Sequence, residues 1–138
     1  MKNLILTFAL TLTTLFSFAQ DKGITITVTV DNVTSNEGKV LMSLHNSDTF
    51  MKAQGIMDAE TTIENGKVTL TFENVLPGEY AILALHDKND NKRMDFQENG
   101  MPKESYGASN NVMAMGPPQY SDAKFTVTDK DLNLNIRF

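Results

Sequence analysis

The chain has no cysteine and no tryptophan, and among its 138 residues only two are histidine and four proline. Without cysteine there can be no disulfide and no thiolate zinc site, so an exported domain of this size must rest on its hydrophobic core, helped at most by another metal. Basic charge is also scarce. Twelve Lys and Arg stand against 17 Asp and Glu, which excludes the electrostatic footprint of a nucleic-acid-binding protein. Long apolar runs are missing too: the best one, Leu4 to Phe16, is interrupted only by Thr but falls short of the roughly 20 residues that span a bilayer.

That short run is read as the core of a leader. Lys2 supplies a positive start, and Ser17-Phe18-Ala19 places small residues where a signal peptidase reads them. Residues 1–19 are therefore expected to be a signal peptide, and residues 20–138 one domain, periplasmic or secreted. With no cysteine at the cleavage point, neither a lipid anchor nor stable membrane insertion of the mature chain is expected. Cleavage removes Lys2 alone from the basic residues and no acidic one, deepening the formal net charge of −5 by one.

The mature sequence alternates in the manner of strands. Ile24, Ile26, Val28 and Val30 share one face against Thr25, Thr27 and Thr29. Lys39 to His45 repeats the pattern with Val40, Met42 and Leu44. Phe50 to Met57 does not alternate and is read as an irregular crossover with one helical turn. Thr61 to Ile63 is a short edge strand, Asn65-Gly66 a hairpin turn, and Lys67 to Glu73 a strand with Val68, Leu70 and Phe72 inward. Pro77-Gly78 turns the chain into Tyr80 to His86, nearly all apolar as in a central strand. Alternation returns at Lys124 to Thr128 and Leu132 to Phe138. The expectation is an all-β, seven-stranded immunoglobulin-like or transthyretin-like β-sandwich with one long ordered loop inserted at 87–122. A transmembrane barrel would need eight or more strands of about ten residues, which this segment precludes.

The long loop opens with the most informative stretch, DKNDNKRMDFQE. Asp87, Asn89, Asn91, Asp95 and Glu98 occupy positions 1, 3, 5, 9 and 12, and position 7 offers the carbonyl of Arg93. A hard cation such as Ca²⁺ takes six to eight oxygens, and alternate residues of a wrapping loop can present them. Lys92 stands at position 6, where such loops use Gly, so a positive φ there carries a cost of about 1 kcal/mol. The flanks are also wrong for an EF-hand, with a strand before and Gly100 and Pro102 after. The bland alternative is a solvated Asx-turn loop with no ion. Mg²⁺ fits less well, because it prefers fewer protein ligands.

Other chemistry is thin. His45 and His86 lie near strand ends, where a hydrogen-bonding role competes with a transition-metal site. Ser43, Ser105 and Ser109 sit in no nucleophile elbow, so no catalytic residues and no enzyme are expected. Tyr106, Asn110, Asn111 and Tyr120, with Met113 and Met115 beside them, form a second candidate surface, for a ligand or for closing the end of the sandwich.

The runs LPGEYAILALHDKNDNKRMDF, GMPKESYGASNN and GPPQYSDAKF resemble the DUF2141 family of exported bacterial proteins. That resemblance implies a secreted domain. The LPGEY turn is similar to carboxypeptidase-regulatory-like and Cna-B-like sandwiches, and the acidic loop to SdrD B-like calcium loops. Carried over, the latter implies Asp87, Asn89, Asn91, Asp95 and Glu98 as ligands. The function expected is a monomeric, exported, non-catalytic binding or structural module with a Ca²⁺-stabilised acidic loop. The alternatives are a metal-free interaction module for an envelope protein or polysaccharide, and a small periplasmic hydrolase.

Overall fold

The computed structural model describes residues 23–112 and 115–138; the expected leader, the start of the mature chain and Met113 lie outside them. Among the described residues, eight strands form two sheets. β1 (Ile24–Val30) lies between β4 (Val68–Val75) and β8 (Leu132–Asn135), antiparallel to the first and parallel to the second. The other sheet runs β3 (Met57–Thr62), β2 (Lys39–His45), β5 (Gly78–Asp87) and β6 (Tyr106–Ala108), with β7 (Phe125–Val127) paired to the beginning of β5.

The inward faces are the ones the alternation selects. Ile26, Val28 and Val30 of β1, Val40, Met42 and Leu44 of β2 and Ile82 of β5 have no exposed surface, and Phe72, Val127 and Ile136 close over them. Burying each such side chain contributes about 1.5–3 kcal/mol before the entropy of ordering it is subtracted. Asn74, at φ 58°, forms a bulge: Ile24 pairs with Val75 but Ile26 with Phe72. The extra residue turns Val75 back into the core. Asn65 (φ 53°) and Gly66 (φ 70°) make the expected tight turn, with two backbone bonds between Glu64 and Lys67.

Several expectations need correction. β3 starts at Met57 instead of Thr61, because Met57 and Ala59 pack on the core while the polar side chains between them face out. There are eight strands, not seven: the 87–122 segment contains β6, a 3₁₀ turn at Ser109–Asn111 and a helical turn, α1 (Tyr120–Ala123). Three residues are too few to show a period, so β6 leaves no signature in the sequence. The last strand stops at Asn135. Beyond it, Asn111 and Asn32 hold Arg137 and Phe138 by side-chain amides in place of a ladder. Among the described residues no helix is long and apolar enough to cross a membrane.

Candidate functional site

β5 ends at Asp87, and everything distinctive in the loop is built from that residue. Its carboxylate is wholly buried and accepts the backbone N–H groups of Asn91 (3.1 Å) and Lys92 (2.8 Å). Asn89 Oδ1 accepts the N–H of Asn91, and Asn91 Oδ1 that of Arg93, so two overlapping Asx turns wind the chain about this point. Both Asn side chains then donate to one oxygen of Asp95, at 2.7 and 2.8 Å. These two bonds, with the nearby charges of Arg93 and Lys103, hold the Asp95 carboxyl below its ordinary pKa.

Lys92 does adopt φ 63°. Its ammonium reaches across to Glu60 on β3, which Lys39 also binds at 2.7 Å. The two cations pull the Glu60 pKa down to about 2. The residue that resists the turn is thus tethered to the sheet beside it. At the base of the loop, Gly38 (φ 68°) lies so close to the Asp87 carbonyl that a Cβ there would be 2.0 Å from it.

Of the expected ligands, Asp87, Asn89, Asn91 and Asp95 are drawn together, and Arg93 lies on the same winding with its Nε 3.8 Å from Asp95 Oδ1. Glu98 is not among them. Hydrogen bonds between Gln97 and Met101, and from the Gly100 N–H to Gln97, fold residues 97–101 into a turn that leaves Glu98 exposed beside Gln97, Asn99 and Lys103. The acid that does return to this loop is Glu104, which the linear spacing did not single out. Glu104 is buried; one oxygen accepts the Lys88 N–H at 3.0 Å and the other the Asp95 N–H at 3.2 Å. The available clue was a lone acid shortly before the Tyr-Gly pair. Among the described residues, no group of three or more His, Cys, Asp and Glu side chains gathers closely enough to hold an ion by those groups alone.

The histidines do not meet. His45 pairs with Ala81 and His86 with Val40, five rungs along the same ladder, or about 17 Å. His45 bonds Thr49 and packs edge-on to Phe50, and burial lowers its pKa. His86 stacks on Phe138 in the core and donates Nε2–H to the Glu37 carbonyl, leaving Nδ1 buried without a partner among the described residues.

The second candidate surface divides. Asn110 donates to the carbonyls of Asp122 and Lys124, Asn111 bridges Asn135 and Arg137, and the Tyr120 hydroxyl donates to the Glu79 carbonyl. These three close the end of the sandwich. Ser109 does the same from within, accepting the Ile82 N–H and donating to the Ala123 carbonyl. Gly107 is required beside them, since a Cβ would be 2.4 Å from the Arg137 carbonyl. Only Tyr106 turns its ring toward open surface, at the edge of a groove with Phe96 and Met51.

No curated protein and no solved structure matches the chain. One family model does, over residues 28–135, from the third residue from the end of β1 to the end of β8, so that it includes the acidic loop and the Ser109-Asn110-Asn111 clamp alike. By that match the chain belongs to DUF2141, described as an uncharacterized protein conserved in bacteria.

Proposed function

We propose that this protein is an exported, non-catalytic binding or structural module, an immunoglobulin-like or transthyretin-like sandwich whose acidic loop takes up one Ca²⁺. The observation that carries this reading is the burial of Asp87 and Glu104 against one short loop, each facing backbone N–H groups and, among the described residues, neither forming an ion pair with a Lys, Arg or His side chain. Buried negative charge is costly unless a cation or a full set of donors faces it. Ca²⁺ would be held by oxygens of Asp87, Asn89, Asn91, Asp95 and Glu104 with the Arg93 carbonyl, a donor set of the right hardness and number. Asn89 and Asn91 now present nitrogen to Asp95; a half-turn of each amide presents oxygen instead, and gives up the two Asx-turn bonds those oxygens accept.

One observation favours the metal-free module: the carboxylates of Asp87 and Glu104 already accept two backbone N–H groups each. The two readings separate in a melting experiment. A site that binds only the folded protein adds about 2.7 kcal/mol at a hundred times Kd, on the order of 10 °C in Tm for a domain of this size. Calcium should raise Tm by that amount over the chelated protein, and Asp87→Ala should abolish the difference. Identical melts with and without chelator would leave the metal-free module standing. For hydrolysis the site offers nothing comparable, because Ser109 is buried in structural bonds and the two histidines are engaged elsewhere.

A further inference from the structure

The outer face of the β3-β2-β5-β6 sheet carries a groove of about 390 Å³, floored by Leu41, Leu83 and Leu85 and walled by Met51 on one side and Phe96 and Tyr106 on the other. Its walls stay open to solvent: Phe96 is 57% and Met51 55% exposed. A concave patch of this size with few polar groups has the character of a small-ligand site more than of ordinary surface.

We propose that the groove binds a neutral, mainly apolar small molecule, one whose few polar atoms are hydroxyl or carbonyl oxygens. Charge decides this choice of occupant. The single Lys, Arg, Asp or Glu lining the groove is Lys92, and its ammonium is already neutralised by Glu60, with Asp90 3.7 Å away. Among the described residues, an anion would find no unpaired cation in this lining and a cation no carboxylate; Asp58, held by the Gln54 amide, belongs to the adjoining hollow. Burial lowers the pKa of His45, also in the lining, and so disfavours its charged form. What is left for recognition is apolar area, two ring faces, and the hydroxyls of Ser43 and Tyr106. A carbohydrate would need far more polar partners than that to replace the water bound to its hydroxyls. The volume admits a ligand of modest size and no helix of a partner protein.

The test is a fluorescence titration of the purified protein with N-phenyl-1-naphthylamine, a neutral apolar probe, beside its anionic relative 1-anilinonaphthalene-8-sulfonate. The neutral probe should bind saturably at one site, at least about tenfold more tightly than the sulfonate. Phe96→Asp should weaken it about tenfold or more. Leu76→Asp, which removes an apolar side chain 59% exposed elsewhere on the molecule, should leave it unchanged. No saturable signal, equal or tighter binding of the sulfonate, or equal losses in the two variants would each overturn the proposal.

Discussion

Between β5 and β7 side chains hold backbone groups in both halves of the described stretch, yet the two halves lean on different chemistry. In residues 87–104 carboxylates carry the deepest holds, beside the Asx turns of Asn89 and Asn91: Asp87 and Glu104 accept four backbone N–H groups between them, and Asp95 two side-chain amides. In residues 105–124, among the described residues, the holders are neutral apart from one exposed ion pair, Lys124 to Glu79 at 3.0 Å. Ser109, Asn110 and Asn111 reach the Ile82 N–H and the carbonyls of Asp122, Ala123, Lys124 and Asn135. Hydrogen bonds spread the negative charge of the first half without cancelling it, so that half has a reason to answer to cations and to pH. The second half carries no such charge at its holding points and should answer only to loss of the side chains themselves.

The largest effect should come from the neutral half. Ser109→Ala strands the Ile82 N–H and the Ala123 carbonyl in a buried setting, a loss of about 3 kcal/mol. Denaturant titration would measure it, and the loss should be the same with calcium or chelator. A cost below about 1 kcal/mol would mean that the clamp is not what joins β5 to α1.

Glu104 and Glu98 sharpen the comparison within the acidic half. Glu104→Gln keeps an acceptor oxygen but removes a charge, and under the proposed calcium reading should weaken calcium binding about tenfold or more. Glu98→Gln should change it less than about twofold, because Glu98 stands apart in solvent. Calorimetric titration of both variants decides the matter; equal losses would restore the position-12 ligand that the linear spacing suggested.

How far these halves could be read in advance follows from their physics. The faces of β1 and β2 were legible because a two-residue period sustained over seven residues matches a half-buried strand and no helix. The convergence of Asp87, Asn89, Asn91 and Asp95 was legible for a related reason, since each winding of the loop is made by a side chain acting on a backbone group two to five residues on. Glu104 was not, because it comes back to Lys88 from 16 residues away around the Gly100 turn. Ser109 was equally hidden, since its partners Ile82 and Ala123 lie on opposite sides of it in sequence. The added strand, Tyr106–Ala108, exists because β5 has a free edge there, a property of the assembled sheet and not of three residues.

Acid should distinguish the halves more gently. Glu60 braces the acidic loop through Lys92, and its pKa is lowered from 4.5 to about 2 by Lys39 and Lys92. A depressed carboxyl contributes stability that is complete above its unfolded pKa and is lost as pH falls through the folded one. Part of the decline in Tm between pH 4.5 and 2 should therefore belong to this residue. In Glu60→Gln the decline over that window should be shallower. An unchanged slope would show that the Lys39 and Lys92 contacts persist only as exposed, screened pairs.

Lys92→Gly should have the smallest effect on stability, because its consequences oppose one another. Glycine removes the cost of holding a side chain at φ 63°, about 1 kcal/mol. It also enlarges the freedom of the unfolded chain and deletes exposed ion pairs to Glu60 and Asp90, together on the same order. The net change without calcium should lie within about 0.5 kcal/mol of zero. Calcium affinity should nonetheless rise severalfold, since the substitution withdraws a positive charge from the rim of the loop while leaving every oxygen donor in place. If Lys92→Gly instead lost more than about 1.5 kcal/mol and gained no affinity, the ammonium tether to Glu60 would outrank the backbone strain, and the loop would be an extension of the sheet more than a site for an ion.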